Sequence, residues 1–141
     1  MKLLCFQARR FRWKTFEKTV AEAADAEQDV EVRDALVAFV HVEAADAAEE
    51  ALASVRRQAL KHLKWLANKR SLTTVVLHSF THLGGASASP AEAEETLANL
   101  AERLSGTGYT THITAFGWLH EWEIDVYGES LAKVWKEIGA G

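Results

Sequence analysis

The sequence predicts a single α/β domain, residues 1–141, with a mixed sheet of about five strands, two main packing helices and a short C-terminal helix. Two nearly continuous apolar runs, Leu36–Val42 and Leu72–Phe80, are rich in β-branched residues, as buried strands are. A long segment with helical spacing separates them, and this strand–helix–strand order requires a parallel crossover. A later segment, Leu119–Val126, alternates polar and apolar residues as a half-buried strand does.

The strongest strand signal leads directly into a candidate site. Leu72–Phe80 predicts a central buried strand, which continues into His82 and the flexible pair Gly84–Gly85. Ligands of open α/β sheets bind at the carboxyl ends of the strands. We therefore expect a binding site where this strand ends.

The first part of the chain predicts a strand and a loop before the Leu36–Val42 strand. Lys2–Gln7 is apolar enough for a first strand, and Ala8–Thr19 fits a strand with one packed and one charged face. Residues 20–34 are acidic and rich in alanine, which indicates a loop with at most a helical turn.

Two helices have clear start signals. Asp46 and Glu49 form a pair of the capping-box type that opens a helix ending near Arg70. The segment Ser89–Glu92 combines a serine N-cap, a proline at the first helical position and a glutamate at the third. The predicted buried residues are Ala48, Leu52, Val55, Ala59, Leu63 and Leu66 in the first helix, and Ala93, Leu97, Leu100 and Leu104 in the second.

The C-terminal third predicts two further strands and a final helix. Thr110–Ala115 and Leu119–Val126 are the fourth and fifth strands, separated at Phe116-Gly117. Gly128 turns the chain into a short helix. The buried side of that helix is predicted to be Leu131, Val134, Trp135 and Ile138.

Composition and charge limit the functions that are open to this chain. The net charge of −4 argues against a general nucleic-acid binder, although six of the sixteen basic residues lie in Lys2–Lys18 and six more in Arg56–Arg70. These clusters are either solvated faces or surfaces that attract phosphate. The single cysteine, Cys5, predicts a buried thiol in a reducing cytoplasm, and no apolar run is long enough to span a membrane.

Familiar catalytic motifs are absent. There is no GxSxG or GxxxxGK[ST] sequence, and Cys5 has no evident catalytic partner. His78 and His82 straddle a strand end and so lack the helical spacing of many zinc ligands, and no cysteine lies near them. We therefore expect no metal and no cofactor, with a metal hydrolase as a remote alternative.

Two predicted loop ends offer groups that could act on an ester or a similar carbonyl compound. Phe80–Gly85 and Ala115–His120 each combine glycine, an aromatic residue and a histidine. Backbone N–H groups and imidazoles of this kind can position a water molecule or a carbonyl oxygen. The residues themselves equally allow two plain chain reversals with locally satisfied histidines.

A basic and aromatic segment near the start has two interpretations. Its aromatic residues, Phe11, Trp13 and Phe16, are interleaved with basic ones, which suits either an ordinary packed strand or a surface that stacks a base and holds a phosphate. The basic residues are Arg9, Arg10, Arg12 and Lys14.

The order of several short motifs resembles the amino-terminal editing domain of archaeal threonyl-tRNA synthetases. The matching features are the strand that ends in Phe80–Leu83 (FTHL), the helix opened by Pro90, the sequence Phe116–Trp118 (FGW), and Gly128 followed by Leu131-Ala132. The first strand MKLLCFQ, the aromatic Trp13 and the stretch LVAFVHVE also fit. The resemblance covers nearly the whole chain and is weakest around residues 19–35.

This resemblance implies a D-aminoacyl-tRNA deacylase-like fold, a homodimer, and hydrolysis of serine mischarged on threonine tRNA. In such domains a water held by backbone groups and by the terminal ribose of the tRNA cleaves the ester. By the resemblance His82 is the pocket histidine, Val42 is a wall that helps to exclude threonine, and Phe116-Gly117 forms the second loop. The expected roles are catalytic for His82, His120, Phe116 and Gly117, substrate-binding for Val42, Glu43, Phe80, Trp118 and Leu119, and tRNA-binding for Arg9, Arg10, Arg12 and Lys14.

The sequence departs from the family pattern at three positions. Leu119 and His120 replace a tyrosine–lysine pair, and Lys133 replaces a glutamate. An imidazole is shorter than a lysine side chain and largely neutral near pH 7, so a fixed positive charge is either lost or made pH-dependent. The only proline, Pro90, opens a helix, unlike the Gly-Pro in the site of D-aminoacyl-tRNA deacylases proper.

Two hypotheses from different classes follow. The first is a cytoplasmic aminoacyl-tRNA deacylase that acts on Ser-tRNA(Thr). These residues contain no class II synthetase core, so we expect either a freestanding protein acting in trans, which the initial Met favours, or an isolated editing domain. Its expected partners are the acceptor end of threonine tRNA, a second copy of the chain, and a threonyl-tRNA synthetase that lacks editing. The alternative is a non-catalytic module of the same fold that binds an amino acid, a nucleotide or a protein.

Overall fold

A curled mixed sheet with two helices on one face forms the frame of the molecule. In the computed structural model, which describes residues 1–139, the strand order is β4-β3-β2-β1-β5, and β6 also pairs with β1. The elements are β1 (Lys2–Lys18), β2 (Asp29–His41), α1 (Glu49–Asn68), β3 (Thr74–Ser79), α2 (Pro90–Ser105), β4 (Thr110–Ile113), β5 (Trp118–Val126) and β6 (Lys133–Glu137), with short 3-10 turns at Ala44–Ala47 and Ser130–Ala132.

The parallel crossover that the sequence predicts is confirmed. Strand β2 pairs in parallel with β3, and β3 pairs in parallel with β4, as the registers Val37↔Val76 and Leu77↔Ile113 show. Helices α1 and α2 provide the two connections. The carboxyl ends of all three parallel strands therefore lie at the same edge of the sheet.

The helices bury one face of this sheet. Val55, Ala59, Leu63 and Leu66 of α1 are buried as predicted, and Ala51 and Leu60 join them. Helix α2 has the predicted capping box between Ser89 and Glu92, and it buries Ala93, Leu97, Leu100 and Leu104. Against both helices pack residues of the sheet, which include Leu3, Cys5, Leu36, Ala38, Val40, Val75 and Leu77.

The opposite face of the sheet carries an aromatic cluster, and strand β5 covers part of it. Phe11, Trp13 and Phe39 are among its buried members. Strand β5 curls over the cluster, since the ring of Trp122 lies 4.9 Å from that of Phe39 and 5.8 Å from that of Phe80. This curl gives the site its second wall.

The predicted strand character of Lys2–Gln7 and Ala8–Thr19 is confirmed, and the two segments join in one strand, Lys2–Lys18. Two other local predictions are wrong. The segment predicted as a loop through residue 34 is strand from Asp29 onward. The reason is long-range pairing: Asp29–Arg33 lies opposite Arg10–Lys14, with arginine–carboxylate pairs on the outer face and Val30 and Val32 packed inward. Strand β3 is second from one edge of the sheet, so it is not central.

The predicted C-terminal helix is also wrong. Lys133–Glu137 forms β6, which pairs antiparallel with Lys2–Phe6. Ile138 is buried, but Trp135, expected on the buried side, is 52% exposed. Lys133–Glu137 forms a strand because it can pair with the free edge of β1. Strand formation depends on available partners more than on local preference.

The predicted start of the first helix is displaced. Glu43 and Asp46 form the capping box, and it precedes the 3-10 turn Ala44–Ala47. Helix α1 then begins at Glu49 after Ala48, whose side chain makes no cap. Ala48 and Leu52 are consequently only half-buried.

Candidate active site

A cavity of about 430 Å³ opens at the carboxyl ends of β2, β3 and β4. The predicted loops Phe80–Gly85 and Ala115–His120 both contribute to it, because β3 and β4 are parallel neighbours. The residues that line it include Thr19, Val20, Val42, His78, Phe80, His82, Ser87, Thr114, Phe116, Gly117, Trp118, Leu119, His120 and Trp122.

The backbone of the β4–β5 loop is held by the β1–β2 loop. The carbonyl of Gly117 accepts hydrogen bonds from the backbone N–H of Thr19 at 2.7 Å and of Val20 at 3.2 Å. Gly117 has φ of +80°, and a Cβ atom there would lie 2.8 Å from the Cβ of Ala23, so glycine is required. Within residues 1–139, the N–H groups of Phe116 and Gly117 donate to no backbone carbonyl, which leaves two donors in a fixed segment.

The buried His78 and the half-buried His120 form the floor of the cavity. The Nδ1 atom of His78 lies 2.7 Å from the hydroxyl of Thr114, and the His78 and His120 rings are 5.2 Å apart. Neither ring nitrogen of His120 has a partner among the described residues, although both atoms are buried. His120 therefore presents unsatisfied hydrogen-bonding groups, and an unpaired buried polar group is costly unless a ligand or water completes it.

Both floor histidines are neutral at pH 7. Burial, and secondly the neighbouring His120, lowers the pKa of His78 to about 3. Burial also lowers the pKa of His120, against a smaller opposing effect of the Trp118 backbone, which is near the ring but makes no hydrogen bond of normal geometry with it. The floor thus offers hydrogen bonds without a positive charge.

The rim of the cavity is the loop from β3 to α2. His82 is exposed there, and its ring lies 5.2 Å from that of Phe80. The base of the loop is fixed to the end of β2, since Ala88 N–H donates to the carbonyl of Val42 at 3.0 Å. Next to it, the buried His41 places Nε2 2.9 Å from the hydroxyl of Ser87.

The residues that we expected to bind substrate are only partly brought together. Val42 is 3% exposed and forms the inner wall, beside Phe80. Trp118 donates its indole N–H to the carbonyl of Ala24 at 3.0 Å and lines the cavity, as does Leu119, which is 49% exposed.

Glu43 lies outside the lining. Its carboxylate is within 3.0 Å of the amino group of Met1 and pairs with Lys2. Burial alone would raise the pKa of Glu43, but hydrogen bonds from Lys2 and the amino group outweigh it and lower that pKa. The Glu43 carboxylate is therefore occupied inside the protein.

The arginines expected to bind tRNA lie on the outer face of β1 and are paired with acids. Arg9 contacts Asp125 at 2.9 Å, and Arg12 contacts Asp29 and Glu123 at 2.8 Å. Arg10 pairs with Glu31 and Glu123. Lys14 is exposed and makes no ion pair within residues 1–139.

The structure adds site residues that sequence reasoning left unassigned. His78 and Thr114 form the floor, and Ser87 with His41 anchors the rim. The signal for His78 was its spacing, because Val76, His78 and Phe80 alternate along one face of β3. Cys5 is buried, which raises the pKa of its thiol to about 12. Residues 1–139 contain no cluster of three groups suited to a metal and no helix able to span a membrane.

Fold and cavity together define a class: a small α/β domain with a histidine-lined pocket and free backbone donors at the ends of parallel strands. Residues 1–138 match the family described as the archaea-specific editing domain of threonyl-tRNA synthetase, and the chain belongs to that family. The family resemblance noted in the sequence is thereby confirmed.

The relatives of known sequence are longer proteins than this chain. A threonine--tRNA ligase of Thermofilum pendens is 30% identical over 143 residues, which cover 100% of this chain and 23% of the relative. A threonine--tRNA ligase editing subunit of Aeropyrum pernix is 29% identical over 95% of this chain and 31% of the relative. The chain thus spans about a quarter to a third of these relatives.

The fold has a solved counterpart. The structure of the c-Myc DNA Unwinding Element Binding Protein superposes with a TM-score of 0.57, covering 99% of this chain and 100% of that chain at 13% identity. This likeness concerns the fold alone. The expected single α/β domain with a mixed sheet is confirmed.

Proposed function

We propose that this chain hydrolyses the ester of mischarged tRNA, with Ser-tRNA(Thr) as the leading substrate. The observation that carries the proposal is the pairing of free N–H groups at Phe116-Gly117 with the histidine-lined cavity, in a member of an editing-domain family. A water molecule would attack the ester carbonyl, the bond to the ribose oxygen would break, and that oxygen would take a proton. The products are free serine and tRNA.

The roles in this reaction follow from position and protonation. The N–H groups of Phe116 and Gly117 would stabilise the oxyanion, as fixed donors do in acyl transfer. The neutral His120 would hydrogen-bond the amino acid or the water, and the exposed His82 would orient the water at the rim. Side chains position the reactants, and the fixed backbone supplies the main electrostatic contribution.

Selection of serine over threonine would depend on Val42. Its buried side chain narrows the inner wall where the extra methyl group of threonine would point. One methyl group in such a pocket changes specificity by roughly 10- to 200-fold.

We further propose that the chain acts in trans in the cytoplasm, beside a threonyl-tRNA synthetase that lacks editing. The similarity to the editing subunit of Aeropyrum pernix supports this arrangement. A homodimer is proposed as well, supported by exposed apolar residues on and near the edge strand β5. These are Phe16, Leu119, Trp122 and Ile124.

Deacylation by the purified protein tests the proposal. Threonine tRNA charged with serine, the same tRNA charged with threonine, and a D-aminoacyl-tRNA are compared. We expect serine to be released at least about tenfold faster than threonine, in line with the methyl-group discrimination above. Val42→Ala should narrow that difference by admitting threonine, whereas release of every amino acid at the uncatalysed rate would refute the proposal.

A second candidate function is supported by the position of His120. An imidazole that is neutral and unpartnered stands where the family has a lysine, which suits binding without turnover. The chain would then bind an amino acid, a nucleotide or a protein through the same cavity. Tight binding of a seryl-adenosine analogue by a protein that leaves seryl esters intact would select this function.

A further inference from the structure

One long segment of this chain contains no acidic residue. No aspartate or glutamate occurs between Glu50 and Glu92, although the net charge of the chain is −4. Helix α1 begins with Glu49 and Glu50, but the rest of the helix falls in this segment and carries four cations, and Lys69 and Arg70 follow its last turn. This surface therefore differs in sign from the rest of the molecule.

Two of these six cations have structural partners. Arg56 donates to the hydroxyl of Thr96 at 3.1 Å and so joins the two helices. Arg70 pairs with Glu129 and lies 3.8 Å from the centre of the Tyr127 ring. Neither of them is a free surface charge.

The other four cations are unpaired. Within residues 1–139, Arg57, Lys61, Lys64 and Lys69 have no carboxylate within 4.0 Å, whereas Arg9, Arg10 and Arg12 of β1 each have one or more. Arg57, Lys61 and Lys64 are spaced i, i+4 and i+7, so they lie on one face of α1. We call these four residues the α1 basic stripe.

An aromatic side chain lies beside the stripe. Trp65 is 45% exposed and stacks against His62, with the amino group of Lys69 5.7 Å from its ring centre. Lys136 of β6 adds charge nearby, since it contributes to the lowered pKa of His62 after the larger effect of burial. Cations with an exposed aromatic ring fit nucleic acid, which offers phosphates and base faces.

The α1 basic stripe lies on the helix that follows a wall residue of the cavity in the sequence. The 3-10 turn before α1 follows the cavity residue Val42, and Ala44 N–H donates to the carbonyl of Ala86 at 2.7 Å. At 1.5 Å per residue, the stripe extends from about 13 Å to about 31 Å along α1 from its start. Its length of about 18 Å matches roughly five phosphates of one strand.

We infer that the α1 basic stripe binds the phosphate backbone of the tRNA whose aminoacylated end enters the cavity. This inference rests on the proposed function and names the surface that holds its substrate. The arginines of β1 are already neutralised by Asp29, Glu31, Glu123 and Asp125, so they offer less free charge to a polyanion. Binding through the stripe should be independent of the amino acid and strongly dependent on salt.

The test compares two variants of the full chain with equal charge change. The stripe variant carries Arg57→Gln, Lys61→Gln and Lys64→Gln. The control carries Arg33→Gln, Arg103→Gln and Lys133→Gln, which are exposed cations outside α1. Affinity for uncharged threonine tRNA is measured by fluorescence anisotropy over a range of salt, together with hydrolysis of the short ester 3′-seryl-adenosine.

We expect the stripe variant to lose about tenfold or more in affinity, and its log–log salt slope to fall by about 2 to 3, one unit per lost phosphate contact. The control should change affinity less than about threefold, and both variants should hydrolyse the short ester like the wild type. Equal losses in both variants, or wild-type affinity in the stripe variant, would overturn the inference.

The short ester separates this inference from the proposed function. A wild-type protein that hydrolyses 3′-seryl-adenosine but does not bind tRNA would overturn the stripe as a tRNA surface and leave the hydrolase standing. A wild type that binds tRNA through the stripe yet cleaves neither ester would uphold the inference and refute the hydrolase.

Discussion

The two walls of the cavity are built in opposite ways. The floor consists of His78 and Thr114, which are buried, and of His120, which is half-buried with both ring nitrogen atoms withdrawn from solvent. The rim carries His82, which is exposed and has no hydrogen-bond partner among residues 1–139. The same residue type is therefore fixed and neutral on one wall and solvent-accessible on the other.

This difference separates two tasks. A buried imidazole with a depressed pKa keeps one protonation state and serves as a constant hydrogen-bonding surface. The exposed imidazole of His82 can contact solvent water and can adjust to a large substrate. We attribute recognition to the floor and positioning of the water to the rim, and each prediction below tests that division.

Removal of the rim histidine should have the largest effect. His82→Ala is expected to lower the single-turnover rate of Ser-tRNA(Thr) hydrolysis by about 10²-fold, the scale for loss of a positioned acid–base group. Because His82 is exposed, the melting temperature should stay unchanged. A wild-type rate in this variant would remove His82 from the mechanism.

Replacement of the floor histidine His120 should affect rate and stability in opposite directions. His120→Phe is expected to slow hydrolysis by about tenfold, the equivalent of about 1.4 kcal/mol, through loss of one hydrogen bond to substrate. The same change removes two buried, unpartnered nitrogen atoms, so stability should be equal or higher. His120→Lys restores the charge of the family lysine and serves as the comparison. A marked drop in melting temperature for His120→Phe would indicate a structural role instead.

His78 should make the fold sensitive to acid. Its pKa is about 3 in the folded protein against an ordinary 6.5, so below pH 6.5 the unfolded chain binds a proton that the folded chain does not. As the pH falls below 6.5, protonation of this histidine in the unfolded chain should therefore lower the free energy of unfolding by up to about 1.4 kcal/mol per pH unit. Urea unfolding of the wild type and His78→Phe at pH 7.0 and 5.0 measures it, and parallel losses in both proteins would contradict the assignment.

The anchor of the rim should have the smallest effect. Ser87→Ala leaves Nε2 of the buried His41 without its partner, so it should cost about 1 kcal/mol of stability. Hydrolysis should change less than about threefold, because the hydroxyl is committed to His41. A double-mutant cycle with His41→Gln checks the contact, and additive effects of the two changes would show no coupling.

The fold was largely predictable because its strongest signals are local. The apolar runs of β2 and β3 and the Ser89–Glu92 cap specify their elements without outside partners. Asp29–Arg33 and Lys133–Glu137 were misassigned for the opposite reason. Both form strands because an edge of β1 is open to them, and that edge exists only after the chain has folded.

The two loops of the site could be predicted from the sequence, but several of the contacts within the site could not. Glycine, histidine and strand ends indicated both loops, and parallel pairing of β3 and β4 brings them together. The link between His41 and Ser87 spans 46 residues and has no local signature. The acids that neutralise Arg9, Arg10 and Arg12 come from other strands, so the free and paired basic clusters could not be distinguished in the sequence.

The most direct test of the account is a structure of the protein with 3′-seryl-amino-3′-deoxyadenosine, a non-hydrolysable mimic of the substrate end. The account predicts that the carbonyl oxygen lies about 2.7–3.1 Å from the N–H of Phe116 or Gly117, with a His120 ring nitrogen bonded to the serine and Val42 against its side chain. A seryl group bound outside this cavity, or one whose carbonyl points away from both N–H groups, would contradict it.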